Sequence, residues 1–210
     1  MFKYLFLILV SLNAFAHDLK LTTDIYSNEE EIFYSHQGEG RFDSTLAMSI
    51  KYAPIKNLKT QLEAYLGKPL DFFKLWNESG EAHVTVVGPL EFYDVLKSKM
   101  TMTEIEKIAD RYEIQNSHLM ILGMGSAKRL VNGKEEETYF VIVDSSELRE
   151  IRQQIFYEFT RRGGDRAAFD PTWFFPHITV GYTLRDFHES DGILKNLKYS
   201  LDKRFNLLFR

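Results

Sequence analysis

The chain has 210 residues, with 26 basic and 30 acidic side chains, a net charge of −4 and 44% hydrophobic residues. That length fits one domain, or one domain made of two similar halves, and an aromatic content of 14% is too high for a disordered chain. The absence of cysteine excludes a disulfide scaffold, a thiolate zinc site, an iron–sulfur cluster and a cysteine nucleophile, and the slight acidity argues against a broad nucleic-acid-coating surface while leaving room for a small basic pocket.

The first sixteen residues read as a Sec-type signal peptide. Met1-Phe2-Lys3 is a short positive region, Tyr4 to Val10 is apolar, and Ala14-Phe15-Ala16 is a small-residue cleavage site. The apolar run falls far short of the roughly 20 residues that a bilayer span needs. The expectation is cleavage after Ala16 and a periplasmic or secreted mature chain with no membrane anchor. Cleavage leaves His17 with an α-amino group beside its imidazole, a copper-chelating pair if another histidine lies near; the plainer reading is a frayed terminus. Residues 17–43, with Glu29-Glu30-Glu31, read as a polar N-terminal arm without regular structure. Gly38-x-Gly40 lacks the preceding strand that a phosphate loop requires.

Regular structure begins near Thr45, in a domain spanning 44–210. Leu46, Met48, Ile50 and Tyr52 alternate with smaller or polar residues, the period of a strand. Ile55, Leu58, Leu62 and Leu66 then recur at helical spacing up to Gly67. Residues 68–81 read as a loop with a short helix near 71–75, and Ala82 to Val87 as a strand stopped by Gly88-Pro89. Thr101-x-x-Glu104 is a capping box for a helix whose inner face is Ile105, Ile108 and Tyr112. His118 to Met124 reads as a strand, and Asn132-Gly133 as the turn of a hairpin between 126–131 and 137–143. Ser145 or Ser146 caps a helix carrying Leu148, Ile151, Ile155 and Phe159. A strand over 176–182 and a last one within 204–209 complete the chain. Strand, helix and strand therefore occur twice, at 45–87 and 137–182, as in a duplicated half.

Each copy ends in a similar tetrad: His83-Val84-Thr85-Val86 and His177-Ile178-Thr179-Val180. On a strand, residues i and i+2 face the same side, so each strand offers one imidazole and one hydroxyl to the same space. Random placement of six histidines yields far fewer than one such tetrad, and these two fall at matching points of the repeat.

The paired tetrads resemble the 2H phosphoesterase superfamily, which includes the bacterial RNA 2′,3′-cyclic phosphodiesterases once named 2′-5′ RNA ligases. Met120-Ile121-Leu122-Gly123-Met124-Gly125, its hairpin, and Pro176 to Tyr182 add to the likeness. The resemblance implies an α+β fold of two pseudo-symmetric lobes, with mostly antiparallel sheets, helices on the outer faces and a central cleft between the tetrad strands. It implies catalytic His83 and His177, no cofactor and no metal.

The chemistry agrees. Hydrolysis of a cyclic phosphodiester needs a base for the attacking water and an acid for the leaving ribose oxygen. Histidine serves as either, because its free pKa is about 6.5. Thr85 and Thr179 are placed to donate to non-bridging oxygens, where charge builds in the transition state. The sequence leaves the acid and base unassigned; by resemblance His177 is the base and His83 the acid. Tyr182, just past the second tetrad, is a candidate to stack on a nucleobase at the rim. Phe92, Trp173 and Phe175 read as core, Lys128-Arg129 and Arg161-Arg162 as solvated pairs, His118 as structural, His36 as exposed, and His188 as an exposed loop histidine or one that reaches the cleft rim.

The reading is an exported, metal-independent phosphodiesterase acting on RNA ends or small nucleotides, a monomer with no obligate protein partner. The alternative is an inactive relative that captures a nucleotide, against which stands the retention of both histidines and both threonines. A metal-binding protein using His17, His36 and His188 lacks ligand spacing, and no Gly-x-Ser-x-Gly elbow supports a serine hydrolase.

Overall fold

The computed structural model describes residues 16–31, 33, 35–38, 40–72 and 80–210. The leader expected over 1–16 lies almost entirely outside them, as does most of the short helix expected near 71–75.

Alternating aliphatics produce the central strands. In β2 (Leu46–Ile50) and β3 (Ala82–Val87), Leu46, Met48, Val84 and Val86 are buried on one face. Between them, α1 (Tyr52–Leu66) buries Ile55, Leu58 and Leu62 and ends at Gly67, whose left-handed φ of 65° suits glycine. The second copy repeats this plan. The strand β5 (Lys134–Asp144) leads into α4 (Ser146–Arg161), capped by the Ser145 hydroxyl, which accepts from the Leu148 amide. From α4 the chain returns through β6 (His177–Tyr182). In each copy a helix joins two antiparallel neighbours.

The five-stranded sheet has the order β2-β3-β6-β5-β4, all antiparallel, with β4 spanning Met120–Val131. The duplicated units are mirrored about the β3/β6 join, which is narrow: Val84 opposite Ile178 is its one paired position. Helix α1 packs on β6 and α4 on β3, so each half covers the central strand of the other. With α3 (Met102–Arg111), these helices bury one continuous core against the aliphatic face. The opposite face is left to the tetrad side chains. This is a mixed α+β fold with a mostly antiparallel sheet.

Three differences from the sequence reading have physical causes. Residues 17–21 are not irregular: β1 (His17–Leu21) pairs in parallel with β7 (Phe205–Phe209), and its buried Leu19 and Leu21 give an alternation too short to stand out among polar neighbours. The runs 118–124 and 126–131 are one strand, β4, kept continuous by a bulge between Ile121 and Gly123. Gly88-Pro89 ends β3 but also begins α2 (Pro89–Asp94), with proline at the first helical position. A short α5 (Leu197–Ser200) precedes β7. Among the described residues, no helix is long and apolar enough to cross a membrane.

Candidate active site

The antiparallel join at Val84 and Ile178 places His83 one step away opposite Thr179, and Thr85 opposite His177. All four side chains therefore stand on the face turned away from the helices. Neighbouring strands add Thr138 and Phe140 from β5 to the same surface. The segment after β6 folds back over it and contributes Asp186, His188 and Lys195.

The two imidazoles differ in the charge of the group that stands nearest, although Asp186 and Lys195 act on both. His177 Nδ1 lies 2.8 Å from the Phe175 carbonyl and donates to it, which leaves the lone pair on Nε2. The Lys195 ammonium sits 2.9 Å from that nitrogen. Burial, reinforced by the Lys195 charge, pushes His177 down to about 3. His83 instead has the Glu81 carboxylate 3.6 Å from its Nδ1. Burial lowers His83 as well, but Glu81 opposes that shift and favours the imidazolium.

Asp186 organises the second half of the site. It is buried and accepts four hydrogen bonds. Thr138 donates at 2.6 Å, Thr179 at 2.7 Å, and Lys195 to its two oxygens at 2.7 and 2.8 Å. Burial alone would raise this carboxyl, yet the Lys195 charge, with His188 and His177 beside it, holds it well below the usual carboxylate range. Thr179 has thus committed its one hydroxyl proton to Asp186. The Thr85 hydroxyl has no hydrogen-bond partner among the described residues and is half-buried, so of the two threonines it is the one able to donate to a ligand.

Other residues predicted from the sequence divide clearly. Tyr182 is half-buried at the end of β6, where its backbone pairs with Asp71. That approach is close: a Cβ at Gly181 would lie 3.0 Å from the Asp71 carbonyl oxygen, which accounts for glycine before the tyrosine. Phe92 is core, as expected, whereas Trp173 is exposed and packs edge-on against Phe175 at 4.9 Å. His118 is not structural; it is exposed ahead of β4, 3.1 Å from Glu147. His188 is exposed, and both it and His36 lie beside the tetrad histidines. The His36 ring lies 6.3 Å from His83, and His188 lies 6.5 Å from His177. Arg161 and Arg162 pair with Glu158 and Glu104, and Lys128 with Glu135 and Glu137, as surface ion pairs do.

His17, His36 and His188 do not converge: His17 lies against Tyr65 in the N-terminal strand. Ligand atoms of His177, Asp186 and His188 come within 4.8 Å of one another. The Lys195 ammonium bonds two of those three groups, so an internal cation stands within the cluster. Sequence reasoning missed Glu81, Asp186 and Lys195. The clues were faint: a charged residue just ahead of the first tetrad, and a lone lysine after the apolar Ile193-Leu194.

No curated protein and no solved structure matches the chain. The family model described as "Swiss Army Knife, 2H phosphoesterase domain" matches residues 44–188, well over half the sequence. That span runs from the start of β2 through both tetrads to His188, and it ends before Lys195. With two histidine–threonine pairs side by side on the open face of one sheet, the chain belongs to the 2H phosphoesterases and carries a phosphoesterase-type site.

Proposed function

We propose that this phosphoesterase hydrolyses 2′,3′-cyclic phosphates of nucleotides or RNA ends, with His177 as general base and His83 as general acid. The observation that carries the reading is the opposed charge beside the two imidazoles. Glu81 beside His83 favours the protonated ring that an acid needs. Lys195 beside His177 favours the neutral ring that a base needs. In the reaction, His177 Nε2 takes a proton from water as the water oxygen bonds to phosphorus. The bond from phosphorus to one ribose oxygen breaks, and His83 protonates that oxygen. Thr85 donates to a non-bridging oxygen as its charge grows, and Tyr182 borders the nucleoside side.

Export belongs to the same proposal. The expected cleavage after Ala16 falls immediately before β1, so the mature chain keeps every strand described above.

The test is an assay of residues 17–210 on 2′,3′-cyclic nucleotides and cyclic-phosphate-ended RNA with EDTA present. Hydrolysis should persist in EDTA and fall by roughly 10²–10⁴-fold in both His83→Ala and His177→Ala. One observation favours a second reading, an inactive nucleotide-binding relative: the Nε2 lone pair of His177 is covered by Lys195. Tight nucleotide binding without turnover would establish that alternative.

A further inference from the structure

Lys195 is fully buried, and the two-histidine reaction requires no lysine. It lies beyond residue 188, outside the span that the family model matches. Its position is nonetheless closely determined. An ammonium has three N–H donors. Two go to the oxygens of Asp186, at 2.7 and 2.8 Å, and the third to His177 Nε2 at 2.9 Å. The Phe140 ring lies 5.0 Å from the Nζ. Asp186 is itself anchored by Thr138 and Thr179, one from each of two adjacent strands.

We propose that Lys195 gates the catalytic base: its third N–H caps His177 Nε2, and an arriving phosphate takes over that N–H and uncovers the lone pair. A phosphate oxyanion is a stronger acceptor than a neutral imidazole. Two donors can remain on Asp186 while the third turns to the ligand, so the ammonium pivots without leaving its carboxylate. The exchange moves hydrogen bonds only. Lys195 keeps its three protons, and Nε2 becomes able to accept one from water once a phosphate is present. The covered lone pair and an active enzyme are then compatible. The charged and titratable groups around the pair are Asp186, His188, Glu189 and Asp191 from the segment after β6, and His83 with Glu81 and His36 from the other half. None of the others bonds His177 Nε2 among the described residues.

The inference rests on the proposed reaction only in taking phosphate as the ligand, and its test does not depend on turnover. Histidine-selective ¹⁵N NMR of residues 17–210, with inorganic phosphate as the probe, reads the protonation of His177 directly. In the phosphate-free wild type, His177 Nε2 should stay unprotonated below pH 5. Saturating phosphate should raise its apparent pKa by at least one unit. In Lys195→Met, His177 should titrate higher without phosphate, phosphate should no longer shift it, and phosphate affinity should fall at least tenfold. Lys195→Met leaves Asp186 uncompensated, so Lys195→Met/Asp186→Asn, which removes both charges, is measured beside it and should behave the same way. The gate is overturned if phosphate fails to bind the wild type at millimolar concentration, if bound phosphate leaves His177 unshifted, or if the double variant retains both the affinity and the shift. Failure to hydrolyse cyclic phosphates with the shift intact overturns the proposed reaction and leaves the gate standing.

Discussion

Thr85 and Thr179 hold equivalent places in the two tetrads, yet their hydroxyls do different work. Thr179 donates to Asp186, while Thr85 has no partner among the described residues. Thr85→Val should therefore lower kcat by roughly 10–10³-fold, as expected when a transition-state donor is lost, with little change in melting temperature. Thr179→Val should act mainly on stability, costing about 1–3 kcal/mol because Asp186 loses one of its buried donors. Urea denaturation beside steady-state kinetics separates the two; the same kinetic loss in both variants would contradict the assignment. The histidines make a further prediction. In the free enzyme the acid must be protonated, and burial holds His83 below its ordinary value of about 6.5. The basic limb of kcat/KM should then begin below pH 6.5, and mildly acidic buffer should be faster than pH 8. Both tetrads were legible in the sequence, because a strand converts their spacing directly into a shared face. Asp186 and Lys195 were not, since they reach the site through a returning loop whose path no local pattern encodes.

At the level of elements, a buried arginine links the two halves. Arg152 lies on the inner face of α4 and makes a two-pronged pair with Glu91 of α2, at 2.8 and 3.0 Å. It also donates to the carbonyls of Val86, Asp170, Pro171 and Trp173. One guanidinium thus ties the end of β3 to the loop entering β6, whose Phe175 carbonyl orients His177. Arg152→Met should destabilise the protein by about 3 kcal/mol in urea denaturation, near the lower end for breaking a buried pair because Glu91 keeps some exposure. Arg152→Lys should rescue little, as a point charge with three donors cannot reach the same set of acceptors. If Lys restores wild-type stability, the clamp is not what joins these loops. The helix itself was readable from its apolar spacing, as were the Thr101–Glu104 capping box and the Asn132-Gly133 turn, both of which form. Elements with strong local signals were the ones found. The strand β1, with two aliphatics, owes its form to tertiary pairing, and α2 was hidden behind a glycine–proline stop whose proline also begins the helix.

Across the whole molecule, the ends of the described chain close on each other. Parallel pairing of β1 with β7 buries Leu19, Leu21 and Phe205. Removing residues 17–22 should cost roughly 3–6 kcal/mol, from two leucines each worth about 1.5–3 kcal/mol on burial. A 23–210 protein as stable as 17–210 would show the clasp to be dispensable. The active site puts a second mark on global stability. His177 is pushed down to about 3 when folded but titrates near 6.5 when unfolded. Between those values the unfolded chain binds the additional proton, so stability must rise with pH and fall as the solution is acidified below 6.5. Asp186 carries the same sign at lower pH. Its folded value is depressed, so the stability it contributes is present above the unfolded carboxylate pKa of about 3.9 and is lost as pH falls further. Below pH 6.5 the one proton at His177 removes stability at up to about 1.4 kcal/mol per pH unit, His83 and His188, also held below their ordinary values, add loss of the same sign, and the fall steepens below pH 4. His177→Gln should make the segment between pH 6.5 and 4 shallower by up to about 1.4 kcal/mol per pH unit, leaving the part due to His83 and His188 and the steeper fall below it. Unfolding free energies from urea melts at half-unit pH intervals test this, and an unchanged slope in His177→Gln would assign the acid sensitivity to another group. Burial, with the Lys195 charge beside it, keeps His177 neutral and makes its protonation costly, so the acid sensitivity of the fold and the neutral ring that the reaction needs have one origin.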